Sequence, residues 1–243
     1  MISSLLAELF GTMLLVLLGG GVVANVVLNR SKGQNSGWIV ITAGWAFGVA
    51  AAAYCFGSVS GGHFNPAVTI ALACIGEFSP LLVPLYIAAQ VLGAFLGAVL
   101  VWLAYQPHWA ATTDAGAKLG VFCTSPAIRS DKHNLVTEMI GTAVLMFGAL
   151  RIGTGLPKMG GWSSGIGPAQ VGLLVWAIGL SLGGPTGYAI NPARDFGPRL
   201  AHDVLPIPGK GSSEWDYAWV PVVGPIAGAI IGAVLHRILV HLI

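Results

Sequence analysis

The tripeptide Asn-Pro-Ala occurs twice in this chain, each time at the start of an apolar run too short to cross a membrane. The two copies are Asn65-Pro66-Ala67 and Asn191-Pro192-Ala193. Asn is a favoured N-cap residue and Pro is tolerated at the first helical position, so each copy predicts a helix start. The runs 67–75 and 193–201 would each be about ten residues, or roughly 15 Å, long. Because a hydrocarbon core is about 30 Å thick, we predict two half-helices that begin inside a membrane.

Composition supports a membrane location. Of the 243 residues, 55% are hydrophobic and 8% are charged, and the mean hydropathy is +0.80. A soluble domain carries about a quarter charged residues, so the sequence predicts an integral membrane protein. A formal net charge of +2 without a basic stripe argues against nucleic acid as a partner.

The cysteines Cys55, Cys74 and Cys123 lack metal-ligand spacing and are interpreted as buried structural thiols. No metal or cofactor is predicted.

Six apolar segments are long enough to cross a membrane as helices. They are 4–27, 38–57, 81–105, 134–152, 168–184 and 217–242. The first follows the N-terminus without a basic region or a small-residue cleavage site, so we interpret it as a retained helix. Three pairs of glycines spaced four residues apart indicate closely packed helices. These pairs are Gly44/Gly48, Gly93/Gly97 and Gly228/Gly232.

The chain also repeats its own pattern. Glu8–Thr12 is echoed 130 residues later by Glu138–Thr142, and the two tripeptides are 126 residues apart. Gly93–Leu100 is echoed 135 residues later by Gly228–Leu235. Each copy contains three spanning segments and one half-helix. Because three is an odd number, the second copy must cross the membrane in the opposite direction to the first.

The predicted fold is an all-α membrane protein with six transmembrane helices and two re-entrant half-helices in an inverted three-plus-three repeat. We predict one domain over 1–243, made of a first repeat (1–106), a connecting loop (107–133) and a second repeat (134–243). Inverted repeats place broken helices near the membrane midplane. The two half-helices should therefore enter from opposite faces and meet by their N-termini. The polar connection is long enough to shape an entrance.

These motifs resemble the aquaporin and glycerol-facilitator family over nearly the whole chain. The resemblance includes Ser60-Gly-Gly-His63 before the first tripeptide, Glu8 and Glu138, and Arg194 after the second tripeptide. Asp195 directly after Arg194 is similar to the glycerol-conducting branch, the aquaglyceroporins. The family implies a passive channel for glycerol and other small uncharged solutes that also passes water and excludes ions and protons. It also implies a homotetramer in the cell membrane.

The resemblance assigns the selectivity filter to Trp45, Gly179, Tyr188 and Arg194. Glycerol facilitators typically carry Trp, Gly, Phe and Arg at these positions, so Tyr188 departs from the pattern by adding a hydroxyl. Water-selective members usually have His at the position of Gly179, where Gly supplies room. Trp45 and Tyr188 would face the carbon side of a polyol, while Arg194 would donate hydrogen bonds to its oxygens.

The non-helical stretches before the tripeptides are expected to line the pathway with backbone carbonyls. The residues concerned are Gly61, Gly62 and His63, and Gly187, Tyr188 and Ala189. Irregular backbone at membrane depth is tolerated only where it is buried or lines a watery cavity. We expect Glu8 and Glu138 to accept N–H groups from these stretches, with protonated packing residues as the alternative. Asp195 is expected to pair with a nearby donor without touching solute.

Charge exclusion is expected from the same elements. Asn65 and Asn191 would each donate a side-chain N–H to a passing oxygen, and the half-helix N-termini carry partial positive charge. Together with Arg194 they would repel cations and interrupt a proton wire, as is held for aquaporin-type channels.

Other functions remain open at this point. A channel that prefers un-ionised lactic acid, dihydroxyacetone or urea is one alternative, because of Tyr188. A proton-coupled secondary transporter also uses inverted repeats and broken helices, but it needs a coupling-ion site. An enzyme is disfavoured, because the sequence places no Ser/His, Asp/Asp or metal-ligand constellation at helix depth.

The orientation signals conflict. The family implies cytoplasmic termini, which would place three of the eleven Lys and Arg residues on the cytoplasmic side: Arg151, Lys158 and Arg237. The positive-inside rule predicts the opposite orientation. We follow the family, because Arg194 and Arg199 belong to a re-entrant element and are not free loop charges.

Overall fold

The computed structural model describes residues 1–154 and 166–242. Within these ranges a short 3₁₀ turn (Pro80–Leu82) precedes the fourth helix. The α-helices are α1 (Ile2–Val27), α2 (Trp38–Ser60), α3 (Pro66–Cys74), α4 (Val83–Ala104), α5 (Gln106–Ala111), α6 (Ala115–Phe122), α7 (Asp131–Thr154), α8 (Gly167–Leu182), α9 (Pro192–Val204) and α10 (Val220–Leu242). Lys158, one of the charges predicted to be cytoplasmic, lies outside the described residues.

Six helices correspond to the six predicted spans. In the described part of the chain, α1, α2, α4, α7 and α10 contain segments long and apolar enough to cross a membrane. The sixth, α8, has 16 residues, or roughly 24 Å at the helical rise. It ends two residues earlier than predicted, because Gly183-Gly184-Pro185 follows and Pro cannot continue a helix. The last span begins at Val220 and not at 217, since the residues before it form turns.

The two half-helices begin where the tripeptides predict. α3 has nine residues and α9 has 13, so α9 extends past the predicted end at residue 201. The side-chain oxygen of Asn65 accepts a hydrogen bond from Ala67 N, at 2.9 Å. That of Asn191 accepts from Ala193 N at 3.0 Å. Both asparagines are therefore N-caps, which confirms this prediction.

The half-helices meet tip to tip, and each packs into the opposite repeat. Asn65 Nδ2 donates to Ile190 O and Asn191 Nδ2 donates to Phe64 O, both at 2.8 Å. Behind the tips, α3 packs against α10 while α9 packs against α4. Each repeat also has its own bundle, in which α1 contacts α2 and α4, and α7 contacts α8 and α10. The tips of the half-helices are thus one contact between the two repeats, and the packing of α2 against α8 is another.

The connection between the repeats is more ordered than a polar loop. It contains α5 and α6, and Trp109 and Phe122 are buried with ring centroids 5.6 Å apart. The Trp109 indole donates to Trp102 O at 2.9 Å. Isolated aromatic residues in a polar segment give no periodic signal. The sequence therefore does not reveal that this segment folds back onto the bundle.

The cysteines correct one prediction. Cys123 is buried, but Cys55 and Cys74 are exposed on the surface of the chain. Lipid is as apolar as a protein core, so a thiol facing lipid and a thiol in the core have the same kind of sequence neighbours. Composition alone does not separate the two cases.

The paired glycines mark close helix contacts, as predicted. A Cβ atom on Gly93 would overlap the Leu9 carbonyl, and one on Gly228 would overlap the Met139 carbonyl. Gly97 and Gly232 repeat this one turn further on, against the carbonyls of Met13 and Ala143. α4 therefore lies directly on the backbone of α1, and α10 lies directly on the backbone of α7.

Substituting Gly93 by Ala should separate α4 from α1, because the added methyl group meets backbone that cannot rotate away. Overpacking of this kind costs about 1–3 kcal/mol. We expect a lower thermal unfolding temperature of the detergent-solubilised protein. Gly21→Ala in α1 is the control, since a Cβ there meets nothing within 4 Å. Equal unfolding temperatures for the two variants would contradict the assigned contact.

Candidate functional site

A cavity of about 230 Å³ lies where the half-helices meet. Both repeats contribute to its wall. Of the predicted site residues, the wall contains Trp45, Gly61, Gly62, His63, Asn65, Tyr188, Ala189, Asn191 and Arg194. Sequence reasoning missed the apolar side of the wall, which includes Val49, Val68, Leu72, Met146, Val171 and Val175. The cavity is therefore amphipathic, with polar groups from the two non-helical stretches and apolar side chains opposite.

Arg194 and Trp45 come together at this cavity. The guanidinium carbon of Arg194 lies 3.9 Å from the centroid of the Trp45 ring, a favourable cation–π geometry. Arg194 is 6% exposed, and its Nη1 donates to Phe122 O at 3.4 Å. A backbone carbonyl at the end of α6 thus helps to orient the guanidinium. No sequence signal pointed to Phe122, because a carbonyl acceptor is the same in every residue.

Gly179 lies behind Tyr188 and is absent from the cavity wall as the described residues define it. A Cβ atom at Gly179 would lie 2.8 Å from Cζ of Tyr188 and 3.0 Å from Cγ2 of Thr42. The space that the glycine leaves is occupied by the Tyr188 ring. The Tyr188 hydroxyl is buried and has no hydrogen-bond partner among the described residues.

Each tripeptide asparagine uses one amide N–H to bind the opposite repeat and its oxygen to cap its own helix. A primary amide has two N–H donors. Since both residues line the cavity, one donor of each remains for a bound oxygen there. Arg194 N also donates to Asn191 Oδ1, at 3.3 Å.

Glu8 is a buried hydrogen-bond acceptor for the first non-helical stretch. Its carboxylate accepts from the backbone N–H groups of His63 at 3.0 Å and Phe64 at 2.6 Å. The Ser60 hydroxyl donates to it at 2.6 Å and the Gln90 amide at 2.7 Å. The three bonds from Ser60, His63 and Phe64 hold the chain before Asn65 in a non-helical conformation, and the fourth connects the carboxylate to Gln90 on α4.

Glu138 has the same place in the second repeat. It accepts from Ala189 N at 3.0 Å and from Ile190 N at 2.8 Å. Tyr188 and Ile190 adopt positive φ values of 39° and 43°, and Phe64 in the first repeat has 47°. A left-handed non-glycine residue costs on the order of 1–3 kcal/mol. The hydrogen bonds to the carboxylates offset that cost.

His63 lines the cavity and is fixed from behind. Its Nδ1 lies 3.0 Å from Thr69 Oγ1. The ring contacts Phe78 and Tyr86, at centroid distances of 4.8 Å and 5.1 Å. Gly187 is not in the wall among the described residues; its N–H donates to Gly183 O at 2.8 Å and anchors the loop that carries Tyr188.

Asp195 pairs with Arg199, as predicted. The two side chains are fully buried and 2.8 Å apart. Asp195 Oδ2 also accepts from the backbone N–H and the hydroxyl of Thr124, at 2.8 and 2.7 Å. Arg199 donates to Ser213 O at 2.7 Å. The pair ties α9 to the segment after α6, and so to the carbonyl of Phe122 two residues before Thr124.

The loops before α7 and α10 contain a second, exposed charge cluster. Arg129 contacts Asp131 at 2.6 Å and Asp216 at 3.1 Å. The hydrogen bond from Asp131 raises the pKa of Arg129. The Arg129 guanidinium also lies 4.9 Å from the ring centroid of Tyr217, and burial raises the pKa of the Tyr217 hydroxyl.

A membrane-embedded bundle with two half-helices meeting at a shared cavity defines the class as an integral membrane channel protein. The family described as "Major intrinsic protein" matches residues 1–236. The chain belongs to the major intrinsic protein family, and the predicted six-helix, two-half-helix fold is confirmed.

Relatives and solved structures are similar to this chain over most of their length. A protein of Thermotoga maritima named "Probable glycerol uptake facilitator protein" is 63% identical over 90% of this chain and 92% of its own. The "Glycerol uptake facilitator protein" of Bacillus subtilis is 57% identical over 89% of this chain and 77% of its own. A "D/L-lactic acid transporter" of Lactiplantibacillus plantarum is 41% identical over 89% of each. The structure of the aquaglyceroporin from Plasmodium falciparum matches with a TM-score of 0.85 and 28% identity, covering 100% of this chain and 99% of that one.

Substituting Asp195 by Asn should destabilise the protein strongly, since Arg199 would keep a buried charge without its counter-charge. Breaking a buried pair in this way costs about 3–5 kcal/mol. Thermal unfolding in detergent measures the effect. Asp216→Asn is the matched control, because the Asp216 side chain is 75% exposed and such pairs contribute at most about 1 kcal/mol. A loss of stability no larger than the control's would show that the pair is dispensable.

Proposed function

We propose that this protein is a passive channel for glycerol and similar small uncharged solutes, and that it also passes water. The observation that carries the proposal is the amphipathic cavity between the half-helix tips, where Arg194 stacks on Trp45 at 3.9 Å. Relatives named as glycerol uptake facilitators, 63% and 57% identical, support the same solute. The family's channel character also supports transport without a catalytic step.

The cavity offers a polyol replacements for its water shell. Each hydrogen bond that a solute loses on entering must be replaced, because an unpaired polar group in an apolar setting costs about 1–3 kcal/mol. Arg194 donates to hydroxyl oxygens, while the carbonyls of the stretches at 61–63 and 188–189 accept from hydroxyl hydrogens. Trp45, Tyr188 and the apolar wall contact the carbon chain. A CHOH chain has both kinds of surface, and the two sides of the cavity match them.

The proposed selectivity filter is formed by Trp45, Tyr188 and Arg194, with Gly179 acting from behind. Gly179 lets the Tyr188 ring lie against α8, so the glycine enlarges the passage without lining it. Glu8 and Glu138 act as loop supports. They hold the strained stretches in which the acceptor carbonyls lie.

Ion and proton exclusion follows from the donors around the tips. The N-termini of α3 and α9 carry partial positive charge, and Arg194 adds a full charge at the same cavity. A cation would lose its water there, and the described wall residues include no carboxylate that would compensate for the loss. The oxygen of a passing water molecule would accept from Asn65 and Asn191, which interrupts a proton wire.

The assembly and location belong to the same proposal. We place the protein in the cell membrane with both termini in the cytoplasm, as a homotetramer in which each chain is a complete channel domain. The outward-facing apolar side chains on α1, α2 and α4 include Phe10, Phe47 and Leu92. Such a surface suits contact with lipid or with neighbouring copies.

Un-ionised lactic acid is a second candidate solute. A relative named "D/L-lactic acid transporter" is 41% identical, and the filter residue Tyr188 carries a hydroxyl that has no hydrogen-bond partner among the described residues. The neutral acid has the size and the mixed surface of a small polyol. Its carbonyl oxygen would accept from Arg194.

Light scattering of reconstituted vesicles tests these solutes directly. We expect fast re-swelling of protein-containing vesicles under a glycerol gradient, and fast shrinkage under an impermeant osmolyte as water leaves. Lactic acid entry should rise as the pH falls toward its pKa if the neutral form permeates. A pH-sensitive dye inside the same vesicles should report no added proton leak. Glycerol flux equal to that of empty vesicles would refute the main proposal.

Substituting Gly179 by His should reduce glycerol flux far more than water flux. A side chain there pushes the Tyr188 ring into the passage, where a polyol needs more width than water does. We expect a glycerol permeability about tenfold lower, which corresponds to a barrier about 1.4 kcal/mol higher. Gly184→His is the matched control, since a Cβ at Gly184 meets nothing within 4 Å. Equal losses of glycerol and water flux would speak against the filter assignment.

A further inference from the structure

Trp38 contacts the filter from outside the cavity. It is the first residue of α2, is 40% exposed, and is not in the cavity wall among the described residues. Its indole N–H donates to the carbonyl oxygen of Gly179 at 3.0 Å. The start of α2 is thereby joined to the part of α8 that lies behind Tyr188.

The same indole packs against the Tyr188 ring. The two ring centroids are 5.8 Å apart with an interplanar angle of 79°, an edge-to-face arrangement. The Tyr188 hydroxyl has no hydrogen-bond partner among the described residues. Packing, and not a hydrogen bond, therefore decides where this ring lies. Trp38 contacts one side of the Tyr188 ring, and Gly179 lies against another.

Gly183 allows both rings to reach the same end of α8. A Cβ atom at Gly183 would lie 2.9 Å from Cζ2 of Trp38 and 2.5 Å from Cδ1 of Tyr188. Gly183 also accepts the N–H of Gly187, directly before Tyr188. The end of α8 thus provides a surface on which the tryptophan, the tyrosine and the loop are all held.

We propose that Trp38 is a positioning residue for selectivity: it holds the ring of Tyr188 and so sets the width of the passage opposite Arg194. This inference rests on the proposed channel function and extends it to a residue that touches no solute. When the indole is removed, the Tyr188 ring moves away from Arg194 into the vacated space. The passage widens, and longer polyols are excluded less well.

The experiment compares glycerol with erythritol and xylitol in vesicles that contain Trp38→Ala. We expect the permeability ratio of the longer polyols to glycerol to rise by roughly threefold to tenfold, the scale of one edge-to-face aromatic contact. The ratio does not depend on how many channels are folded, so a loss of protein alone leaves it unchanged. Trp38→Phe keeps an aromatic edge and should restore a ratio close to that of the unmodified protein.

Two further variants separate positioning from a general disturbance. Trp219→Ala is the control, since Trp219 is 43% exposed and directly precedes α10; its ratio should not change. In a Tyr188→Ala background, Trp38→Ala should add no further change, because the ring that it positions is gone. Trp38→Leu replaces Trp38→Ala if the latter fails to fold, and the same rise is expected.

The outcomes distinguish this inference from the channel proposal. Absence of glycerol flux in the unmodified protein overturns both. Normal glycerol flux with an unchanged polyol ratio in Trp38→Ala or Trp38→Leu overturns the role of Trp38 alone. The role of Trp38 is also overturned if the polyol ratio rises equally in Trp219→Ala. The same holds if Trp38→Ala raises the ratio by its full amount in the Tyr188→Ala background.

Discussion

Backbone that is not helical at membrane depth must find hydrogen-bond partners within the protein, because lipid supplies none. The rest of this structure depends on how that requirement is met. Glu8 and Glu138 accept the N–H groups of the two non-helical stretches, and neither carboxylate is in the cavity wall among the described residues. The carboxylates thus make it possible for irregular backbone to line a cavity in the middle of an apolar bundle.

The half-helix of the second repeat contains charged residues that the half-helix of the first repeat lacks. Both half-helices begin with the same cap, but α9 also contains Arg194 and the buried Asp195–Arg199 pair. Asp195 of that pair binds Thr124. Phe122 lies two residues before Thr124, and its carbonyl oxygen accepts a hydrogen bond from the Arg194 guanidinium. The ordered connection between the repeats is therefore part of the site, and it fixes the charged end of the cavity. The first repeat has an aromatic cluster around His63 in the corresponding region.

Sequence reasoning predicted the elements that have local signals. The two caps and the paired glycines each depend on a few neighbouring residues, and the three-plus-three repeat depends on short motifs that recur later in the chain. The structure confirms all three. Features that depend on a distant partner were missed: the carbonyl of Phe122, the folding of α5 and α6, and the contact of Trp38 with Tyr188. The prediction that Cys55 and Cys74 are buried is wrong for a related reason: an apolar sequence context does not separate the outer surface of a membrane protein from its core. The end of α8 has a local signal as well, since Pro185 follows its last residue closely.

The reciprocal bonds at the half-helix tips have a consequence for how such a chain could arise. Asn65 donates to a carbonyl of the second repeat, and Asn191 donates to a carbonyl of the first. A polypeptide made of one repeat would leave its asparagine amide and its matching carbonyl unpaired in the bilayer. To satisfy both groups it would have to associate with a copy of itself inserted upside down. An ancestor of half this length would therefore need dual topology, and fusion of two genes would fix both orientations in one chain.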